Sequence, residues 1–341
     1  MPLDHTRNEF TGIVELLQHC QFSIAKKKLS FFNKILFVGS GESLIVGKVL
    51  EKALSNHERY SSTDIKAVQS YEFLVNPLKL TSLTLVVIIT SSGRPSPTLE
   101  AFRFAFHSQA KTMVVTNNIE WRDQIKPDYL VATGATKNGI PTQSTIAAIL
   151  LLLKRFLVLT PYWDGQTLAE SVSRTIKAVS NEELDLNLCE GRSSNWICLG
   201  TGYGIEAASS MSNLLAMGAM VEATSYAIEE YNHSLRKFII KEKDRFFIFD
   251  DNSTSLKLVE KTIADLLERG CYVFHYHSYD SHSLDIEVSA RYRNIYFQRG
   301  LSMSREIKAL HLMLCAQQTA LVIAEKSVKN GLVRANLKDI L

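Results

Sequence analysis

The sequence predicts an α/β protein built from two doubly wound parallel-sheet domains in tandem. Three observations carry that prediction. Short apolar runs rich in β-branched residues alternate with helical stretches. Two of those runs, at 35–38 and 196–199, lead straight into a Gly-x-Gly turn, Gly39/Gly41 and Gly200/Gly202. The strand–helix rhythm breaks across 161–193 and then restarts on the same plan.

Element by element, a helix is expected over 8–28, a strand at 35–38 and a helix from there to about residue 56. A short strand follows at 65–69 and a longer one at 84–90. The latter contains Val86-Val87-Ile88-Ile89, an apolar run of the kind that a buried parallel strand needs. It stops at Thr90-Ser91-Ser92-Gly93, before a helix whose first turn can hold Pro97. A helix at 101–109, strands at 112–116 and 129–132, and a long apolar helix at 145–159 complete the first half. Residues 161–193 carry Pro161, Gly165, many charges and few aliphatics, and read as a linker around a polar helix at 168–179. The second half reads as a strand at 196–199, a helix to about 217, a strand at 246–249 and a helix at 256–268. A strand at 271–275, short strands at 286–288 and 295–297 and a closing helix at 304–329 follow. The expected domains are therefore 1–160, a helical linker 161–193, a second domain 194–330, and a tail 331–341.

The 341 residues suffice for two domains, and 46% apolar with 21% charged residues is a globular balance. The net charge of +3 is spread along the chain with no basic block, so neither nucleic acid nor a membrane is an expected partner. No stretch was expected to reach the roughly 18 apolar residues of a membrane span. The longest candidate, 146–159, is interrupted by Lys154 and Arg155. The start, Met1-Pro2-Leu3-Asp4-His5, lacks the basic and apolar regions of a signal peptide. Cys20, Cys189, Cys198, Cys271 and Cys315 are odd in number and widely spaced, which fits reduced thiols better than disulfides or zinc. A cytoplasmic location is the expectation.

The strand–hydroxyl turn–helix at 86–100 has the chemistry of an anion site. Backbone N–H groups and the helix dipole favour negative charge there, and the hydroxyls add donors. Two readings fit it: a phosphate cradle, or an ordinary turn capped by serine. The Gly-x-Gly turns do not make a dinucleotide fingerprint, because Gly39-x-Gly41 lacks the third glycine and no acidic residue closes the next strand. No phosphate-binding G-K-[ST] follows the glycines, and no Ser-His-Asp spacing is recognisable. His275, His277, Asp280 and His282 cluster in sequence, yet the first two alternate along a strand-like run, and no metal is expected.

Gly39-Ser40-Gly41-Glu42-Ser43, the turn Thr90-Ser91-Ser92-Gly93-Arg94-Pro95-Ser96-Pro97-Thr98 and Gly200-Thr201-Gly202 together resemble the sugar isomerase (SIS) domain family. The likeness is to its tandem members, with flavodoxin-like domains, among them the isomerase half of glucosamine-6-phosphate synthase and stand-alone phosphosugar isomerases, deaminases and deglycases. It covers the chain from about residue 10 to the end. It implies that Ser43, Thr90, Ser91 and Ser92 hold the phosphate of a hexose phosphate or amino-sugar phosphate. Thr142, in Ile140-Pro141-Thr142-Gln143-Ser144, would lie beside the sugar or cap a helix. Pro95 replaces a family threonine, and Ser96 is the nearest substitute hydroxyl. Glu230-Tyr231-Asn232-His233 matches the family's E-x-x-H, which makes His233 the expected ring-opening histidine. Lys338, in Arg334-Ala335-Asn336-Leu337-Lys338, matches the lysine of a tail that covers the site, and its amine could form a Schiff base with an open-chain ketose. No cofactor is implied, and a homodimer with shared sites is.

One position breaks the pattern. The family's proton-transfer glutamate aligns with Met217, and a thioether cannot accept a proton at useful pH. Glu206 and Glu222 flank it at other places. The expected function is therefore an isomerase, deaminase or deglycase acting on a phosphorylated amino sugar or ketosamine. The rival is a sugar-phosphate binding or sensing protein on the same fold, without catalysis.

Overall fold

The computed structural model describes residues 2–19, 29, 31–76, 78–93, 96–117, 123–157, 165–181, 195–235, 241–278, 289–297 and 304–329. The chain forms two compact units. One is Asn8–Ala169; the other joins Met1–Arg7 to Glu170–Leu341.

The first unit follows α1 (Pro2–Thr11) and α2 (Ile13–His19) with β1 (Lys34–Gly39), α3 (Glu42–Ser55), β2 (Asp64–Gln69), α4 (Ser70–Val75), β3 (Thr84–Ile89), α5 (Pro97–Phe106), β4 (Lys111–Thr116), β5 (Tyr129–Ala132) and α6 (Gln143–Phe156). All strand pairs are parallel, in the order β2-β1-β3-β4-β5. Strands β1 and β3 sit at the centre, and side-chain alternation sends successive residues to opposite faces. Leu36, Val38, Val86 and Ile88 form one core with Phe73 of α4 and Leu99, Phe102 and Ala105 of α5. On the other face Phe37 meets Phe156 of α6 edge to face, with ring centres 5.6 Å apart. Each large apolar side chain so buried contributes about 1.5–3 kcal/mol.

The chain then runs through α7 (Gly165–Asn181), β6 (Trp196–Gly200), α8 (Gly204–Leu214), β7 (Ala223–Ala227), α9 (Ile228–Glu230), β8 (Arg245–Asp250), α10 (Leu256–Glu268), β9 (Tyr272–His277), β10 (Tyr292–Tyr296) and α11 (Arg305–Lys329). Its sheet is again parallel, in the order β10-β9-β8-β6-β7. Read from the other edge, this is the same 2-1-3-4-5 winding as the first sheet. Ile197, Leu199, Phe246 and Ile248 pack on Val259, Ile263 and Leu266 of α10. Phe247 stacks on Phe274 and Phe249 on Tyr276, with ring centres 4.9 and 4.8 Å apart.

Several expectations need correction. The N-terminal helix starts at Pro2 rather than residue 8, since proline lacks only an N–H that a first turn leaves unpaired anyway. It is interrupted at Gly12, although the Gly12 N–H still reaches Asn8 O at 2.9 Å. Helix α4 is too short to show a clear period in the sequence; it is capped by the Gln69 side chain, which accepts from the Tyr71 and Glu72 N–H groups. Helix α11 is long and apolar enough to cross a membrane by length and composition, yet 83% of its most apolar window is buried inside the protein. That is the pattern of a core helix. The 286–288 strand lies outside the described residues. Cys198, Cys271 and Cys315 are free and buried, and burial pushes all three thiols up, Cys271 to about 12.

Candidate functional site

In an open parallel sheet the strand order reverses at one point, and the loops leaving the carboxyl ends there splay apart to form a crevice. In the first unit that point lies between β1 and β3. A cleft of about 460 Å³ of empty space, partly open to solvent, occupies it. Its walls come from the turn after β1 (Ser40, Glu42, Ser43), the turn after β3 (Thr90, Ser91), the ends of β4 (Thr116, Asn117) and β5 (Thr133), and the segment entering α6 (Lys137, Pro141, Ser144, Thr145).

The local sequence shapes each wall. Gly41 has φ +55°, a backbone conformation that favours glycine, and nothing lies within 4 Å of where a side chain would start. The space beside Gly41 is open, and α3 begins next to it, its first residues Glu42 and Ser43 being walls of the cleft. After β3, the Thr90 hydroxyl accepts the Gly93 N–H at 3.2 Å, and Ser91 O accepts the Asn117 N–H at 3.2 Å. Thr133 Oγ1 donates to Asn117 Oδ1 at 2.9 Å, which ties the ends of β4 and β5 together. The loop carrying Lys137 is held from both sides. Gln143 Oε1 accepts the Thr136 N–H at 2.9 Å, and Glu9 Oε1 accepts the Asn138 N–H.

Of the residues singled out from sequence, Ser43, Thr90 and Ser91 meet in this cleft. Ser92 is half-buried beside them but is not one of its walls. Thr142 takes the N-cap position of α6, yet its hydroxyl makes no capping bond; it is buried without a hydrogen-bond partner and is not a wall residue. Ser96 likewise sits at the N-cap of α5 with no side-chain capping bond, so the plain serine-cap reading of that turn lacks its defining contact. Arg94, Pro95 and Lys338 lie outside the described residues, as do Asp280 and His282. His233 belongs to the other unit, where it is exposed in a π-helical turn, Tyr231–Leu235. Met217 is half-buried in a second π-helical turn, Leu215–Ala219. Glu206 is buried on α8, and Glu222 is exposed just before β7.

The sequence reading missed Glu42, Lys137, Asn117, Thr116 and Thr133 as cleft residues. Glu42 stood inside the quoted turn, and its helix N1 position was the available signal. Lys137 had none, because its placement depends in part on the side chain of Glu9, far away in the sequence.

The matching turn in the second unit is filled by the chain itself. Gly202 has φ +47°, and a side chain there would fall onto the Asp251 carboxylate. Asp251 Oδ2 accepts the Tyr203 N–H at 2.8 Å, and its Oδ1 accepts the Ser253 N–H at 3.0 Å. Thr201 Oγ1 lies 2.7 Å from Asp250 Oδ1. A carboxylate thus occupies the position that an anion would take. Asp250 is held below the usual carboxylate range: burial raises it, but the His275 imidazole, the Thr201 hydroxyl and the Asn252 N–H outweigh that. His275 and His277 are buried and stacked 4.6 Å apart on one face of β9. Among the described residues no group of three or more His, Cys, Asp or Glu could hold a metal.

Two consecutive 2-1-3-4-5 parallel sheets, with a hydroxyl-lined crevice at the first switch point, make an α/β fold that matches tandem sugar-isomerase domains. The solved structures that share it bear this out. The C-terminal domain of glucosamine-fructose-6-phosphate aminotransferase from Francisella tularensis superposes with a TM-score of 0.75 at 14% identity, covering 95% of this chain and 96% of that one. Glucosamine-6-phosphate deaminase from Thermotoga maritima gives 0.70 at 15% identity, over 97% and 95%. A curated relative, glutamine–fructose-6-phosphate aminotransferase (isomerizing) from Thermotoga maritima, is 23% identical over 246 residues, or 68% of this chain. The match spans 40% of that relative's length. No family model matches the chain.

Proposed function

We propose that the first-unit cleft binds the phosphate of a sugar phosphate, and that the chain is a phosphosugar isomerase, deaminase or deglycase acting on a phosphorylated amino sugar or ketosamine. The observation that carries this reading is the convergence of Ser43, Thr90 and Ser91 on one crevice at the switch point, with Lys137 on its wall. Hydroxyl donors and a helix N-terminus together suit a phosphate dianion. The similar proteins named above include, by name, a glucosamine-6-phosphate deaminase and a fructose-6-phosphate aminotransferase, which supports the substrate class. In this reading His233 opens the sugar ring, a task that suits an imidazole, which can both donate and accept a proton. Its exposure on its own unit leaves it free to serve a second copy of the chain in a homodimer. Lys338 is proposed to assist from the tail.

The test is turnover. Purified protein is incubated with fructose 6-phosphate, glucosamine 6-phosphate and a fructosamine 6-phosphate, and products are followed by NMR. Conversion of at least one, lost in His233→Ala, supports the enzyme. Binding of all three without conversion favours the second reading, a sugar-phosphate sensor. The observation on that side is Met217 at the position where the resemblance places the catalytic glutamate.

A further inference from the structure

Proton transfer at carbon needs a base, and hydroxyls and amides do not ionise near neutral pH. The polar walls of the first-unit cleft are almost all of that kind. Among the described residues that line it, Glu42 is the one carboxylate and Lys137 the one cation. Glu42 is the first residue of α3, 7% exposed, in the same short turn as Ser43. A carboxylate is a group that can accept a proton from carbon. As a phosphate ligand it makes no sense, because a carboxylate repels an incoming dianion. Its place on the wall calls for another role. Lys137 is fixed there by its two flanking backbone bonds, from Thr136 to Gln143 and from Asn138 to Glu9.

We propose that Glu42 is the proton-transfer base of this cleft and Lys137 its acid partner, supplying within the first unit the step that Met217 cannot perform. The proposal rests on the sugar-phosphate reading above. With an open-chain ketose phosphate, a Glu42 carboxylate oxygen takes a proton from C1. The C–H electron pair becomes the C1=C2 bond, and the carbonyl pair moves onto the C2 oxygen, which takes a proton from the Lys137 ammonium. Glu42 then returns its proton to C2. The C1 hydroxyl gives its proton to the Lys137 amine as the C1 carbonyl forms. The ketose has become an aldose, and both side chains have regained their starting charge.

The experiment follows fructose 6-phosphate in D₂O by proton NMR, with affinity measured in parallel by calorimetry. Wild type is expected to exchange the C1 proton for deuterium. Glu42→Gln is expected to slow exchange by about 100-fold or more, the usual size of a general-base contribution, while binding fructose 6-phosphate as tightly or more tightly. Lys137→Met is expected to slow exchange as well, and Glu42→Asp to retain a measurable part of it. Should Glu42→Gln not fold, the Glu42→Asp and Lys137→Met rates decide. Wild-type binding without exchange, or exchange unchanged in these variants, overturns the proposal. Failure of wild type to bind fructose 6-phosphate at all overturns the underlying reading instead.

Discussion

At the scale of single residues, the candidate site separates neighbours that look alike in sequence. Thr90, Ser91 and Ser92 are three consecutive hydroxyls, but only the first two line the cleft. A hydrogen bond to a charged group contributes about 1.5–3 kcal/mol. Thr90→Val, which keeps the shape and loses the hydroxyl, is therefore expected to weaken fructose 6-phosphate binding about 10-fold or more. Ser92→Ala is expected to change it by less than about 3-fold on the same scale. Isothermal titration of the two variants checks the difference; equal losses would contradict the placement of the walls. The turn itself was legible in the sequence, as hydroxyls and a glycine after an apolar strand, but hydroxyls there serve a helix cap as well as an anion. Which hydroxyl faces inward was not, since that depends on where the chain turns. Lys137 was illegible for a related reason: one of the bonds that hold its loop comes from Glu9, far away in the sequence, and nothing near Lys137 announces it.

At the scale of elements, strand and helix cores were readable from their periods, and the exceptions have physical causes. Strand β7, Ala-Thr-Ser-Tyr-Ala, is an edge strand that pairs only with β6, so it needs no aliphatic run. Helix α11 is rich in apolar residues along its middle because that stretch is buried on nearly every side, so that even His311, Gln317 and Thr319 are buried. The His311 imidazole lies 3.1 Å from Ser171 Oγ and 2.6 Å from Thr175 Oγ1, two hydroxyls of α7. Burial, and to a lesser extent the Arg174 charge, pushes it down to about 3. The neutral form belongs to the folded state, whereas the unfolded chain takes up a proton near pH 6.5. The contribution of His311 is therefore intact above pH 6.5 and is lost as pH falls towards 3, with a slope of at most about 1.4 kcal/mol per pH unit. Urea midpoints from pH 7 to pH 4 should fall more steeply for wild type than for His311→Leu. Parallel curves would show that the imidazole titrates alike in both states.

At the scale of the whole molecule, the repeated plan was visible because a strand running into Gly-x-Gly opens each half, and the two sheets share one winding order. The membership of residues 1–7 was not, because it rests on contacts more than three hundred residues apart. Arg7 Nε donates to Glu325 Oε1 at 2.8 Å and its Nη1 to Gln318 Oε1 at 2.9 Å. The repeat is also not functionally even. The first turn is open at Gly41, and the second is closed by the Asp251 carboxylate. This asymmetry predicts one phosphate site per chain, and it puts that site where Ser43 and Thr90 meet. The most direct measurement is a calorimetric titration of wild type and of the Ser43→Ala/Thr90→Val double variant with fructose 6-phosphate. One site per wild-type chain is predicted, weakened about 100-fold or more when both hydroxyls are removed. Two sites per chain, or undiminished affinity in the double variant, would contradict it.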